Sequence, residues 1–236
     1  MKIDRIFYAP EIQLDLHALN DIESKHCIKV LRLKIGDEIV LNDGVGNFYF
    51  CEIIDDNYKK CIVQIKSKQE VEKTTSVNIH IAIAPTKNID RFEWFLEKTT
   101  EIGIDEITPI LCERSERKDV KIERVEKIVI SAMKQSLKAH LPKLNSLTSF
   151  STLVKTPLDG EKYIAHCNNA TENLVEIYKK GTNAFILIGP EGDFTEKEIK
   201  LAKENNFKEI SLGKSRLRTE TAGIVVCDII NVLNSI

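Results

Sequence analysis

The sequence predicts an α/β fold in two parts, a small β-barrel over residues 1–70 followed by an α/β domain over 77–236. Three observations carry this. Short apolar strands separated by Asp/Asn/Gly turns fill the stretch from Glu38 to Ile65. A polar stretch, Ser67–Ser76, reads as a linker. From Val77 onward apolar runs of strand length alternate with helical periodicity, the pattern of a mainly parallel sheet.

In the first part, Glu38–Leu41, Asn47–Ile54 and Lys60–Ile65 are strands, and Asn42–Gly46 and Asp55–Asn57 are turns. Ahead of them Ile22–Leu33 reads as a helix, on which Lys25, Lys29 and Arg32 at i, i+4 and i+7 share one face. In the second part Val77–Ala84 is a strand, and Asp90 with Glu93 forms a capping pair for the helix that Gly103 stops. Ile107–Leu111 is the next strand, followed by a helix over 123–139 with an apolar stripe from Val125 to Leu137. Tyr163–His166 and Ala184–Ile188 are further strands with a helix of roughly ten residues between them. The last helix, 220–233, is apolar almost all round, so it demands burial on more than one side. A second subunit meets that demand, and so does a place inside its own domain's core.

Composition narrows the function. A formal net charge of −2 over 236 residues excludes coating nucleic acid by bulk charge, so any RNA contact needs a local basic patch. Six cysteines and five histidines are scattered without metal-ligand spacing, which predicts reduced thiols and no metal. Asp4 and Arg5 stand where a secretory signal needs an apolar core, and no run reaches membrane-spanning length, so a cytoplasmic location and no membrane partner are expected.

The chemistry concentrates in Ala184–Ile199. A fully apolar strand runs into Gly189-Pro-Glu-Gly192, and Thr195 with Glu198 makes the capping box of a following helix. Such a turn lies at the carboxyl end of a strand, where open α/β sheets bind ligands. A second loop, Ile210-Ser-Leu-Gly-Lys-Ser-Arg-Leu-Arg-Thr-Glu-Thr-Ala222, follows a short helix and strand and opens on the same edge. Neither the dinucleotide fingerprint nor a P-loop is present.

Gly-Pro-Glu-Gly, then Leu-Gly, then Leu-Arg-x-Glu-Thr-Ala resembles the SPOUT methyltransferases, and among them the family that methylates N3 of a uridine in 16S ribosomal RNA. Pro85-x-Lys87-x-x-Asp-Arg91, Lys98-x-x-Glu101-x-Gly103, Ser131-Ala132-x-x-Gln135-Ser136 and His26-x-x-x-Val-Leu-Arg-Leu-Lys-x-Gly-Asp37 extend the match to nearly the whole chain. The resemblance implies a PUA-like RNA-binding barrel, a SPOUT domain with a C-terminal trefoil knot, a homodimer, S-adenosyl-L-methionine as cofactor, and 16S rRNA or the small ribosomal subunit as partner. Four positions depart from the family pattern: Lys138 replaces arginine, Asp193 replaces glycine, and Ser215-Arg216 replaces Arg-Ile.

On this basis Leu187, Ile188, Gly189, Glu191, Gly192, Leu212, Gly213, Leu217 and Thr221 are the expected cofactor contacts. Arg218 and Glu220 are the expected catalytic residues. Arg218 is suited to stabilising charge on the uridine carbonyl oxygens, although it can equally pair with Glu220 or Glu191. Glu220 can accept the proton, orient a water or favour the start of the last helix. Lys29, Arg32, Lys34, Lys87, Arg91 and Lys138 are the expected RNA contacts. Two other readings remain, a non-catalytic RNA-binding protein and an enzyme with another adenine-containing ligand.

Overall fold

The structure, a computed structural model, describes residues 5–12, 15–73, 76–168 and 172–236. The chain forms two compact units, residues 1–73 with 133–141 and residues 74–132 with 142–236.

The first unit contains β1 (Ile6–Tyr8), β2 (Leu16–Ala18), α1 (Asp21–Lys25), a π-helical turn (His26–Val30), β3 (Glu38–Asn42), β4 (Asn47–Asp55) and β5 (Ile62–Glu70). The sheet order is β1-β3-β4-β5-β2, with β1 parallel to β3 and the other pairs antiparallel. Among the described residues this path is open, since the end strands β1 and β2 do not pair; it is a mixed sheet rather than a closed barrel. Alternate residues of β3 and β4, including Ile39, Leu41, Cys51 and Ile53, point into one apolar core. The β3–β4 turn is held by its own side chains: Asn42 Oδ1 accepts from Gly44 N at 2.6 Å, and Asp43 Oδ1 accepts from Val45 N at 2.9 Å.

Two expectations fail in this unit. Asn20 caps α1 by accepting from Glu23 N at 2.8 Å, but the helix widens to i→i+5 bonding at Leu31 N to His26 O and then stops. Arg32 follows in the left-handed region at φ +57°, so Lys25, Lys29 and Arg32 do not share one helical face. The linker is shorter than its polarity suggests, because β5 pairs with β4 through Glu70. Polar side chains suit a strand with one solvated face as well as they suit a linker. Residues 74–75 of that stretch, like Asp4, lie outside the described residues.

The second unit runs β6 (Ile79–Ile83), α2 (Ile89–Ile102), β7 (Glu106–Leu111), α3 (Ile122–Gln135, whose last three residues count with the first unit), β8 (Lys143–Leu144), β9 (Thr148–Ser149), α4 (Phe150–Leu153), β10 (Glu161–Ala165), α5 (Leu174–Ile177), β11 (Ala184–Ile188), α6 (Glu196–Glu204), β12 (Lys208–Ile210) and α7 (Thr219–Ser235). Its strands are parallel in the order β12-β10-β11-β6-β7-β8, with β9 also on β7. β6 and β11 are buried at every residue, as expected of central strands covered on both faces.

Four local readings need correction. The cap of α2 is Asn88, which accepts from Asp90 N at 3.1 Å, so the helix starts before the Asp90–Glu93 pair. The helical bonding of α3 ends at Gln135, and Leu137 at φ +56° is half exposed, so it leaves the apolar stripe. Between β10 and β11 the described helix is α5, of four residues; 169–171 lie outside the described residues. Finally, α7 buries one face, with Gly223, Val226, Cys227 and Ile230. Ile224, Val225, Ile229 and Leu233 are half exposed and Val232 is 48% exposed, so the helix is not sunk in its own core.

Candidate active site

Register places the site. Ala165 at the end of β10 pairs with Ile188 at the end of β11 and with Ile210 at the end of β12. Three parallel strands therefore stop together, and the loops 166–168, 189–194 and 211–218 leave from one edge. They enclose a pocket of about 600 Å³, within the usual range for small-molecule sites. Its lining includes Ile188, Ile210, Leu212, Leu217 and Ala222 as apolar surface, Glu191 and Asp193 as acids, and Lys214, Arg216 and Arg218 as bases.

Backbone geometry and buried bonds hold these loops. Asp193 N donates to Pro190 O at 2.9 Å, closing a four-residue turn. Gly189 is a tight fit: a Cβ there would stand 3.1 Å from the ring of Phe194, closer than an ordinary contact, so that fully buried ring would have to give way. Gly213 is required by conformation, at φ +113°. Thr219 Oγ donates to Gly189 O at 3.0 Å in a buried bond that ties the start of α7 to the turn after β11.

The two expected loops meet at one pocket. Of the expected cofactor residues, Ile188, Gly189, Glu191, Leu212, Gly213 and Leu217 line it. Leu187 is fully buried in the core beneath the sheet edge. Gly192 is exposed, with its carbonyl accepting from the Arg114 guanidinium at 2.9 Å, and Thr221 is half buried off the pocket. Helical spacing explains the last: Thr219 and Ala222, at i and i+3, share the face that lines the pocket.

Arg218 lines the pocket, is exposed, and has no ion pair among the described residues. Glu220 lies off the pocket and is 4% exposed; its Oε1 is 3.9 Å from Arg91 Nε and its Oε2 has no hydrogen-bond partner. Glu191 accepts from Lys87 N at 2.9 Å through Oε1, while its buried Oε2 has none. The alternative in which Arg218 pairs with either carboxylate is thus not the arrangement found.

Of the expected RNA contacts, Lys29, Arg32 and Lys34 are exposed in the first unit, with Lys29 Nζ 4.4 Å over the Tyr58 ring. Lys138 belongs to the same unit and is half buried, its carbonyl accepting from Asn42 at 2.7 Å. In the second unit Lys87 Nζ is 2.7 Å from Glu116, whose carboxylate holds the Lys87 ammonium above its usual range.

Sequence reasoning missed His166, Cys167, Ser211 and the hydrogen-bonding role of Asp193. The signal for the first two was the β10 strand itself, whose end must share an edge with β11 in a parallel sheet. Among the described residues no group of His, Cys, Asp and Glu has the makings of a metal site, and no helix is long and apolar enough to cross a membrane.

The pocket fits S-adenosylmethionine. Its apolar walls suit an adenine, the partnerless Glu191 Oε2 and the Asp193 carboxylate suit cationic groups, and Lys214 and Arg216 suit a carboxylate.

Residues 73–231 match the model of an RNA methyltransferase domain, and residues 19–66 that of an RNA methyltransferase PUA domain. Ribosomal RNA small subunit methyltransferase E of Mesomycoplasma hyopneumoniae is 30% identical over 223 residues, covering 92% of this chain and 95% of that protein. A crystal structure of a probable rRNA-methyltransferase from Porphyromonas gingivalis superposes with a TM-score of 0.91 at 43% identity, over 98% of both chains. Ribosomal RNA small subunit methyltransferase E from Neisseria gonorrhoeae, solved bound to S-adenosyl methionine, gives 0.89 at 28% identity, again over 98% of both chains. With a PUA-type unit, a parallel α/β unit and the pocket at its strand ends, the chain belongs to the ribosomal RNA small subunit methyltransferase E family.

Proposed function

We propose that this chain is a cytoplasmic, homodimeric enzyme that uses S-adenosylmethionine to methylate N3 of a uridine in 16S ribosomal RNA. The observation that carries the reading is the meeting of the 189–191 and 212–219 loops around one pocket whose lining includes Arg218, an arginine with no ion pair among the described residues.

When bound, the cofactor supplies a methyl group on a cationic sulfur. The chain does the rest. Ile188, Leu212 and Leu217 offer apolar surface to the adenine, and the backbone of the two loops offers donors and acceptors to its edge. N3 of uridine lies between two carbonyl oxygens that take up negative charge as its proton leaves. The Arg218 guanidinium is the group to stabilise that charge, because no carboxylate of the described residues neutralises it. Glu220, buried off the pocket with a partnerless Oε2, is the candidate acceptor for the proton through an intervening water rather than by direct contact.

Residues 1–70 serve as the RNA-binding domain, where exposed Lys29, Arg32 and Lys34 hold phosphate, and Lys87, Arg91 and Lys138 extend the contact. Residues 77–236 hold the cofactor and the subunit contact, which the half-exposed apolar face of α7 supplies. The trefoil knot of the SPOUT class, implied by the sequence resemblance, belongs to this reading.

The test is transfer of a labelled methyl group from S-adenosylmethionine to small-subunit RNA and to assembled small subunits, with the product mapped by mass. Label on N3 of a single uridine is expected. A protein that binds the cofactor and the RNA yet transfers no label would make it a binding module instead.

A further inference from the structure

Asp193 is one of five non-glycine residues described in the left-handed region, at φ +61°. Backbone strain of this kind persists only where surrounding interactions hold it, and it gathers at functional sites. Here the interactions are visible. Asp193 Oδ1 accepts from Phe194 N at 2.8 Å, and Oδ2 accepts from Cys167 N at 2.9 Å. The second bond is not local: it crosses from the turn after β11 to the turn after β10, and both turns line the pocket. Each turn is separately anchored on its far side. Phe194 is fully buried against Phe150, and Asn168 N donates to Nδ1 of His166, whose Nε2 lies 3.2 Å from Glu209. Among the described residues the Asp193 carboxylate is the one hydrogen-bond link between loops 166–168 and 189–194.

We propose that Asp193 is a positioning residue of the donor pocket: its carboxylate spans two loop backbones and sets the separation of the walls that receive the adenosyl donor. This rests on the donor-pocket reading above. The two roles of the residue separate cleanly by substitution. Glycine adopts φ +61° without strain but removes both bonds, so a purely conformational role leaves binding intact in Asp193→Gly. A bracing role does not. Asn keeps a side-chain oxygen and tolerates the left-handed region, but it lacks the charge that strengthens such bonds.

The experiment is calorimetric titration of S-adenosylmethionine and of S-adenosylhomocysteine into the wild type, Asp193→Gly and Asp193→Asn. It is paired with hydrogen exchange of the Cys167 amide in each protein without ligand. Removing a hydrogen bond to a charged group implies roughly a tenfold or greater weakening for the glycine variant with both ligands. It also implies faster exchange at Cys167, with the asparagine variant in between. Rapid exchange alone, with wild-type affinity, would overturn the proposal, as would unchanged exchange in the glycine variant. A wild type that binds neither ligand would overturn the donor-pocket reading and the proposal with it, whereas wild-type binding beside an unaltered glycine variant overturns the proposal alone.

Discussion

Arg218 stands exposed in the pocket lining with no ion pair among the described residues, while Glu220, two residues on, is buried beside Arg91. Arg218→Ala therefore removes a charge whose work is done on the substrate. At saturating cofactor, methyl transfer should fall by about a hundredfold or more, the scale set by loss of one transition-state donor, with cofactor affinity nearly unchanged. Wild-type turnover would take Arg218 out of the mechanism. A second residue-scale prediction concerns His80, 7% exposed, with Nε2 2.7 Å from Thr108 Oγ1 and 4.0 Å from Glu106. Burial pushes its pKa from 6.5 down to about 4, opposed by the Glu106 carboxylate and aided by Lys143. The unfolded chain thus binds a proton between about pH 6.5 and 4 that the folded chain refuses, and stability falls as pH drops through that window. The loss is at most about 3 kcal/mol. Urea unfolding at pH 7 and pH 4.5 should show a smaller difference for His80→Gln than for the wild type; equal differences would contradict the assignment. Which residues reach the pocket was only partly legible. Asp193 stood out as a side chain where the family pattern has glycine, but in a strand buried on both faces the letters do not say that Ile188 meets the pocket and Leu187 the core.

At the level of elements, the packing of α7 on α2 depends on Gly223. A Cβ there would stand 2.5 Å from Phe95 Cε2 and 3.1 Å from Ile83 Cδ1, both in fully buried side chains. Alanine gains about 1 kcal/mol of helix propensity, but overpacking a tight contact costs about 1–3 kcal/mol and outweighs it. Gly223→Ala should lower the melting temperature by several degrees; an unchanged or higher value would mean the helices separate at little cost. The strand-turn-helix unit around β11 was legible in full, since apolar run, Gly-Pro stop and capping box all agree. The 22–33 segment was not. A π turn costs no change in apolar spacing that letters reveal, and Arg32 adopts a backbone that only its neighbours enforce.

For the whole molecule, the half-exposed apolar residues of α7 leave a surface that a second copy would cover. Sedimentation equilibrium should give twice the chain mass. Val232→Glu, on the exposed side, should give folded monomers with an unaltered helical spectrum; a wild-type monomer would remove the dimer from the proposal. The alternation of strands and helices announced the parallel sheet, and the charge balance ruled out bulk attraction to nucleic acid. The meeting of the loops after β11 and β12 was expected, but the place of the 166–168 loop beside them was not, because it depends on the register of β10 against β11 and β12, which no local pattern encodes. Hydrogen exchange mapped across the chain with and without S-adenosylmethionine tests that closeness most directly. The expected result is protection gathered at residues 189–193 and 211–219; binding of the cofactor with neither loop protected would contradict it.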